Sequence, residues 1–256
     1  MKEVDTPHGP GIVGVVDGGR PRYPFLLPSL MSLHVPKGSD FVEASSCNVA
    51  RNSNSLCEYV VAHPQYQWLW IMGDDHWFES DTLLKLLAHK KDCIVPITPR
   101  RWFPFDPVVY RKIEPHNNIY DHFTWTDIEK FTEPFPVAAA GSAGLLIQRH
   151  VLERMPTPRF QIGQYHPGEL QEDLYFTAHA NRMGHQVYCD PHAWLGHAPE
   201  AYLFPYRREG EIGVGINISG HRMSVVPVGY TAVRAPDGKL TIEPNRPIEV
   251  LNHEGD

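Results

Sequence analysis

The sequence predicts an α/β fold, and three observations predict it. Trp68-Leu69-Trp70-Ile71-Met72 sets five large apolar residues in a row, too short a run for a typical helix, and reads as a central strand buried on both faces. Two further β-rich apolar runs, Ile12–Val16 and Cys93–Ile97, alternate along the chain with segments of helical spacing. The length of 256 residues and a hydrophobic content of 42% suffice for one large α/β domain, with or without an appendage.

Composition narrows the functional classes. A net charge of −7 argues against a general nucleic-acid binder, which needs a basic surface to neutralise phosphates. Cys47, Cys57, Cys93 and Cys189 have no close paired spacing, so neither a zinc ribbon nor a disulfide framework is expected, and reduced thiols in a cytoplasm fit best. No basic segment followed by an apolar core opens the chain, so no signal peptide is expected. The longest apolar run, Val137–Ile147, is rich in Ala and Gly and too short to span a bilayer. The 24 prolines imply long ordered loops rather than a helical bundle.

The elements follow in order. Ile12–Val16 is the first strand, closed by the turn Asp17-Gly18-Gly19-Arg20, where two glycines let backbone approach a ligand. Tyr23–His34 has helical spacing interrupted by Pro28, and Phe41–Ala44 reads as the second strand. Asn48–His63 is an amphipathic helix with Val49, Leu56, Val60 and Val61 toward the core and Arg51-Asn52 in its first turn. The central strand ends in Gly73-Asp74-Asp75-His76, after which a helix opens at once, with Ser80 as N-cap and Asp81 complementing the dipole. In an open α/β sheet the carboxyl ends of strands are where ligands sit, and two adjacent acids there repel unless something cationic lies between them; a divalent metal is the usual answer.

Cys93–Ile97 is the next strand, followed by the cationic, aromatic loop Arg100–Phe105. Pro107–Ile113 and Ile119–Trp125 read as a hairpin over the site. Phe135–Ile147 is a strand rich in small residues, including Gly141, and leads to a helix from Arg149 to Met155. Gly168–Met183 is helical, opens with Glu172-Asp173, and has Gly184 in the C-cap place. Gln186–Cys189 is a short strand ended by Asp190-Pro191, with His192 and His197 beyond it. Tyr202–Arg208 reads as a packed loop, while Val225–Arg234 and Leu240–Val250 form a hairpin turning at Pro236-Asp237-Gly238-Lys239. This appendage docks on the core or on another copy of the chain.

Three ordered signatures, the Asp-Asp-His strand end, the Glu-Asp helix start and the later His197, resemble those of GT-A glycosyltransferases typified by family 2. In compactness and in the Asp-Asp-His segment the chain is similar to bacteriophage-encoded members. The resemblance covers roughly residues 10 to 200. It implies a Rossmann-like mixed sheet with helices on both faces, a catalytic domain at 1–200 and a β-rich extension at 201–256. Gly73 departs from the family, which usually has the first acid of the DXD triplet there. In one register Asp75 is the metal ligand and Asp74 lies nearer the donor's ribose or sugar. In a second, matching an Asp-x-His variant, Asp74 and His76 are the ligands.

The resemblance further implies that His197 completes the metal site, with His192 as its competitor. It sets Asp17 and Arg20 on the nucleotide base and phosphate, Arg51-Asn52 bordering the nucleotide, and Gly141 where backbone approaches the sugar. The cofactor is then Mn²⁺ or Mg²⁺, the donor a nucleotide-diphosphate sugar, and the acceptor a carbohydrate or protein hydroxyl. Asp173, beside Glu172, is the general base, which gives inversion; were it only to bind the acceptor, retention would follow. Two rival readings use the same residues. One is a metal-dependent phosphoester hydrolase or nucleotidyltransferase, the other a non-catalytic carbohydrate-binding module on the same scaffold.

Overall fold

The computed structural model describes the chain except residues 19–23, 103, 118, 163–169, 209–210, 219–220, 226–229, 235–239, 245–249 and 253–256. Arg20 and the turn 236–239 thus lie outside the described residues. The chain divides into two compact units, Met1–Arg100 with Asp106–Ala198, and Arg101–Phe105 with Pro199–Asp256.

The first unit begins with β1 (Lys2–Val4), β2 (Ile12–Asp17), α1 (Leu26–Ser32), β3 (His34–Pro36), β4 (Asp40–Ser45) and α2 (Val49–Ala62). Next come β5 (Trp68–Gly73), β6 (His76–Phe78), α3 (Thr82–Ala88), β7 (Cys93–Ile97), β8 (Val109–Glu114), β9 (Ile119–His122) and α4 (Trp125–Ile128). It closes with β10 (Phe135–Pro136), β11 (Ala139–Ala140), β12 (Leu145–Gln148), α5 (Arg149–Arg154), α6 (Glu172–Arg182) and β13 (Val187–His197).

The main sheet has the order β10-β13-β7-β12-β5-β2-β4, with β6 attached to β13. β4, β2 and β5 are parallel, as are β7 and β13, while β12 runs antiparallel between β5 and β7. The carboxyl ends of β2, β4, β5 and β7 therefore share one edge of the sheet.

Helices cover both faces because the central strands are apolar on both. Trp68, Trp70 and Met72 of β5 pack with Leu26, Leu83 and Leu86 of α1 and α3. Leu69 and Ile71 point the other way, into a core with Leu56, Val60, Leu152 and Phe176 from α2, α5 and α6. Among the described residues no helix is long and apolar enough to cross a membrane.

Several sequence expectations need correction. The central strand is not followed at once by a helix: Asp74-Asp75 form a turn into β6, and the helix starts at Thr82 with Asp81, not Ser80, as N-cap. The long strand expected at Phe135–Ile147 is three short ones serving two sheets, because β11 pairs with β8 whereas β10 and β12 join the main sheet. Most consequential, Asp190-Pro191 does not end β13. The strand absorbs the missing proline N–H through an irregularity between Asp190 and Trp194, where Asp190 Oδ1 accepts the His192 N–H at 2.8 Å, and continues to His197.

In the second unit, Ala201–Arg208 is a strand rather than a loop and pairs along its length with Glu211–Ile218. The expected hairpin is narrower, Tyr230–Arg234 against Leu240–Pro244, while Val225 and Val250 belong to another pair.

Gly144, between β11 and β12, has φ +72°, and a Cβ there would come within 2.5 Å of the rigid Pro96 ring and 2.7 Å of Leu195. Its N–H donates to Ile71 O at 2.8 Å and its carbonyl accepts from Trp70 Nε1, also at 2.8 Å, so the backbone has nowhere to move. Gly144→Ala is expected to cost about 3 kcal/mol from left-handed strain plus overpacking. A fall in Tm of roughly 6–12 °C in a thermal melt would register it.

Candidate active site

Asp74 and Asp75 leave the carboxyl end of β5 in different directions. Asp74 Oδ2 accepts from Gly18 N at 3.4 Å, toward the end of β2. Burial, and then the neighbouring charge of Asp75, raise the Asp74 carboxyl above its ordinary value. Asp75 turns the other way. Its Oδ1 lies 2.7 Å from His76 Nδ1 and its Oδ2 3.3 Å from His197 Nε2. Burial alone would raise the Asp75 carboxyl; hydrogen bonds from His197 and His76 outweigh it and hold the group well below the carboxylate range.

The two imidazoles meet because β6 and β13 pair antiparallel with His76 directly opposite His197. Their rings stack with centroids 4.2 Å apart, and Ala198 N donates to Asp75 O at 2.9 Å, closing the turn onto the strand. Gly73 has a steric reason here. A Cβ at 73 would lie 2.8 Å from His76 Nδ1 and 2.9 Å from Asp75 Oδ1, so an acid at that position would displace the cluster.

The tautomer of His197 is set by its other nitrogen. Nδ1 lies 2.9 Å from Pro99 O, and a carbonyl only accepts, so Nδ1 carries the hydrogen. Nε2 therefore meets Asp75 Oδ2 either as a second donor, in the charged ring, or across a cation held between the two. Asp75, His76 and His197 each offer a ligand atom, all within 4.8 Å of one another. A ring whose far nitrogen is fixed on a backbone carbonyl is the usual posture of a metal-ligating histidine. The donor set fits a divalent cation.

Asp173 opens α6, which is pinned to the small-residue segment before β12. Thr177 Oγ1 lies 3.0 Å from both the N and O of Ala140, and Asn181 Nδ2 donates to Val137 O and Ala138 O at 2.9 Å. A Cβ on Gly141 would press on Val108 Cγ1 at 3.1 Å and touch Asp173 Oδ2 at 3.6 Å. Burial, with the charge of Glu172 adding to it, pushes Asp173 up to about 7, against hydrogen bonds from the Leu174 and Ser142 amides. That value suits a proton acceptor working near neutrality.

The remaining expected residues divide. Asp17 Oδ2 accepts from Ser45 Oγ at 3.1 Å at the shared carboxyl edge. Asn52 is buried and its amide is spent on Asp17 O at 2.9 Å and Ser46 O at 3.1 Å, so it braces this strand end. Arg51 is exposed and lines a groove of about 510 Å³ with Ser45, Ser46 and Tyr59, which none of Asp74, Asp75 and His197 lines. The ring of His192, the alternative to His197, lies 3.2 Å from Thr132 O.

Sequence reasoning did not single out Arg100 and Tyr110. Arg100 follows Pro99, the acceptor for His197, and its Nη2 donates to the Tyr110 hydroxyl at 3.4 Å. Its Nε is buried without a hydrogen-bond partner among the described residues. Burial raises the Tyr110 hydroxyl, the charge of Arg100 opposes this, and that of Asp173 adds to it. An Arg just beyond the carboxyl end of a buried strand was the available signal.

No protein-family model and no curated protein sequence matches the chain. Solved structures similar to it include A197 from STIV, at 15% identity and TM-score 0.47 over 95% of this chain and 100% of that one. GalNAc-T7, crystallised with UDP, GalNAc and Mn²⁺, aligns at 11% identity and TM-score 0.48 over 80% of this chain and 45% of its own. The inositol-1-phosphate CTP transferase from T. maritima aligns at 12% identity and TM-score 0.39 over 75% of this chain and 91% of its own.

Proposed function

We propose that the chain is a metal-dependent glycosyltransferase that moves a sugar from a nucleotide-diphosphate sugar to a carbohydrate or protein hydroxyl. The observation that carries the reading is the convergence of Asp75 on His76 Nδ1 and His197 Nε2, at 2.7 and 3.3 Å, with the two rings stacked, at the carboxyl edge of the sheet. Asp75, His76 and His197 would hold Mn²⁺ or Mg²⁺, which supplies a Lewis acid against the charge of the leaving diphosphate. Asp74 and Asp17 orient the ribose or base through the β2 and β5 ends. Asp173 accepts the proton of the acceptor hydroxyl as it attacks the anomeric carbon, giving inversion. Gly141 leaves room for the sugar against Asp173, and Arg100 supplies a buried donor for an anionic group.

A thermal-shift screen with UDP, GDP and their sugars, with and without Mn²⁺, tests the reading, followed by product analysis. Mn²⁺-dependent stabilisation and release of nucleoside diphosphate are expected. Release of nucleoside monophosphate or sugar phosphate would assign nucleotidyl or phosphoester chemistry instead, and stabilisation without turnover would assign a binding module.

A further inference from the structure

A second carboxylate–imidazole cluster lies at the opposite edge of the sheet, away from every group assigned above. Asp92 immediately precedes β7, His150 is the second residue of α5 at the end of antiparallel β12, and His185 lies two residues before the first residue of β13. Since β12 runs against its neighbours, its end and their beginnings meet at one place. Asp92 Oδ1 lies 3.0 Å from His150 Nε2 and Asp92 Oδ2 lies 2.8 Å from His185 Nδ1, and the ligand atoms of all three fall within 4.8 Å of one another.

The backbone holds these groups in place. Gln148 N donates to Asp92 O at 2.9 Å, tying β12 to the start of β7. Gly184 at φ +89° ends α6, and the next amide, His185 N, donates to Ala180 O at 2.9 Å, aiming the ring back at Asp92. The His185 side chain is 8% exposed, whereas those of Asp92 and His150 are 41% and 44% exposed. One ligand is therefore fixed in the core and two face solvent, so an ion can enter and a water can complete its shell.

We propose that Asp92, His150 and His185 form a tetrahedral transition-metal site, suited to Zn²⁺, that clamps β7, β12–α5 and α6–β13 together. Two imidazoles and one carboxylate, with water rather than diphosphate oxygens to complete the shell, are a nitrogen-rich set that favours Zn²⁺ over Mg²⁺ or Ca²⁺. The competing description is a hydrogen-bonded triad in which both rings donate to Asp92.

Co²⁺ titrated into the chelator-treated full chain discriminates, because tetrahedral Co²⁺ absorbs visible light far more strongly than six-coordinate Co²⁺. Asp75→Ala, which lacks the other cluster, is expected to develop the intense band at a single equivalent, to lose it to competing Zn²⁺, and to gain roughly 5 °C in Tm at a hundredfold Zn²⁺ excess over Kd. His150→Ala added to that variant, at a half-exposed position, is expected to lose band and shift while its metal-free melt matches its parent; Asp92→Asn in the same background serves as the second variant. Absence of the band in Asp75→Ala, or its retention once His150→Ala or Asp92→Asn is added, would overturn the site. Because Asp75→Ala removes the other cluster, this outcome is read independently of the catalytic proposal.

Discussion

Asp173→Asn is expected to lower transfer about 10²–10⁴-fold, the usual contribution of a positioned general base, while making the protein more stable above neutral pH. The two effects have one origin. Burial first, and the charge of Glu172 second, raise Asp173 from 3.8 to about 7. Below pH 3.8 the folded and unfolded chains both carry the proton. Between 3.8 and about 7 the folded chain keeps a proton the unfolded chain has released, so stability falls as pH rises, and above 7 the full penalty stands. Asn is neutral throughout and escapes it. Melts at pH 5 and pH 8 should therefore show a gap in favour of the variant that widens at the higher pH; a gap that does not widen would refute the buried-base assignment. In wild type the same group should give kcat/KM a rising limb with an apparent pKa near 7.

Asp75→Ala should abolish transfer, by roughly 10³-fold or more if charge stabilisation worth several kcal/mol is lost with the cation. It removes the carboxylate that bridges the stacked rings of His76 and His197, whose centroids lie 4.2 Å apart. The core of Trp70, Met72 and Leu83 beneath is untouched, so the variant should fold. Titration of Mn²⁺ with UDP, followed by thermal shift, should lose its metal-dependent step in Asp75→Ala and in His197→Ala. Wild-type rates from Asp75→Ala in the presence of chelator would eliminate the metal role.

Much of the frame was legible. Cys93–Ile97 was read at its observed bounds, and α2 to within one residue at each end, because strand burial and helical period are written in neighbouring side chains. The acids at the end of β5 and the start of α6 were readable for the same reason. The errors share another cause. Pro191 is a local stop signal overridden by pairing of β13 with β7 and β6, and the small-residue run 135–147 divides between sheets according to partners distant in the chain.

The sequence by itself determined the central strands and the helices α2 and α3 that flank them, that both faces of the sheet are apolar, and that acids and imidazoles cluster at strand ends. Hydrophobic period and turn chemistry act over a few residues, so they need no partner to be read. Only the tertiary structure decided that Asp75 rather than Asp74 faces both imidazoles, that His76 stacks on His197, and that Gly73 stays small to admit them. Those outcomes hang on the register of β6 against β13, a pairing between Asp75 and a histidine 122 positions away, and ladder register is a property of two strands together.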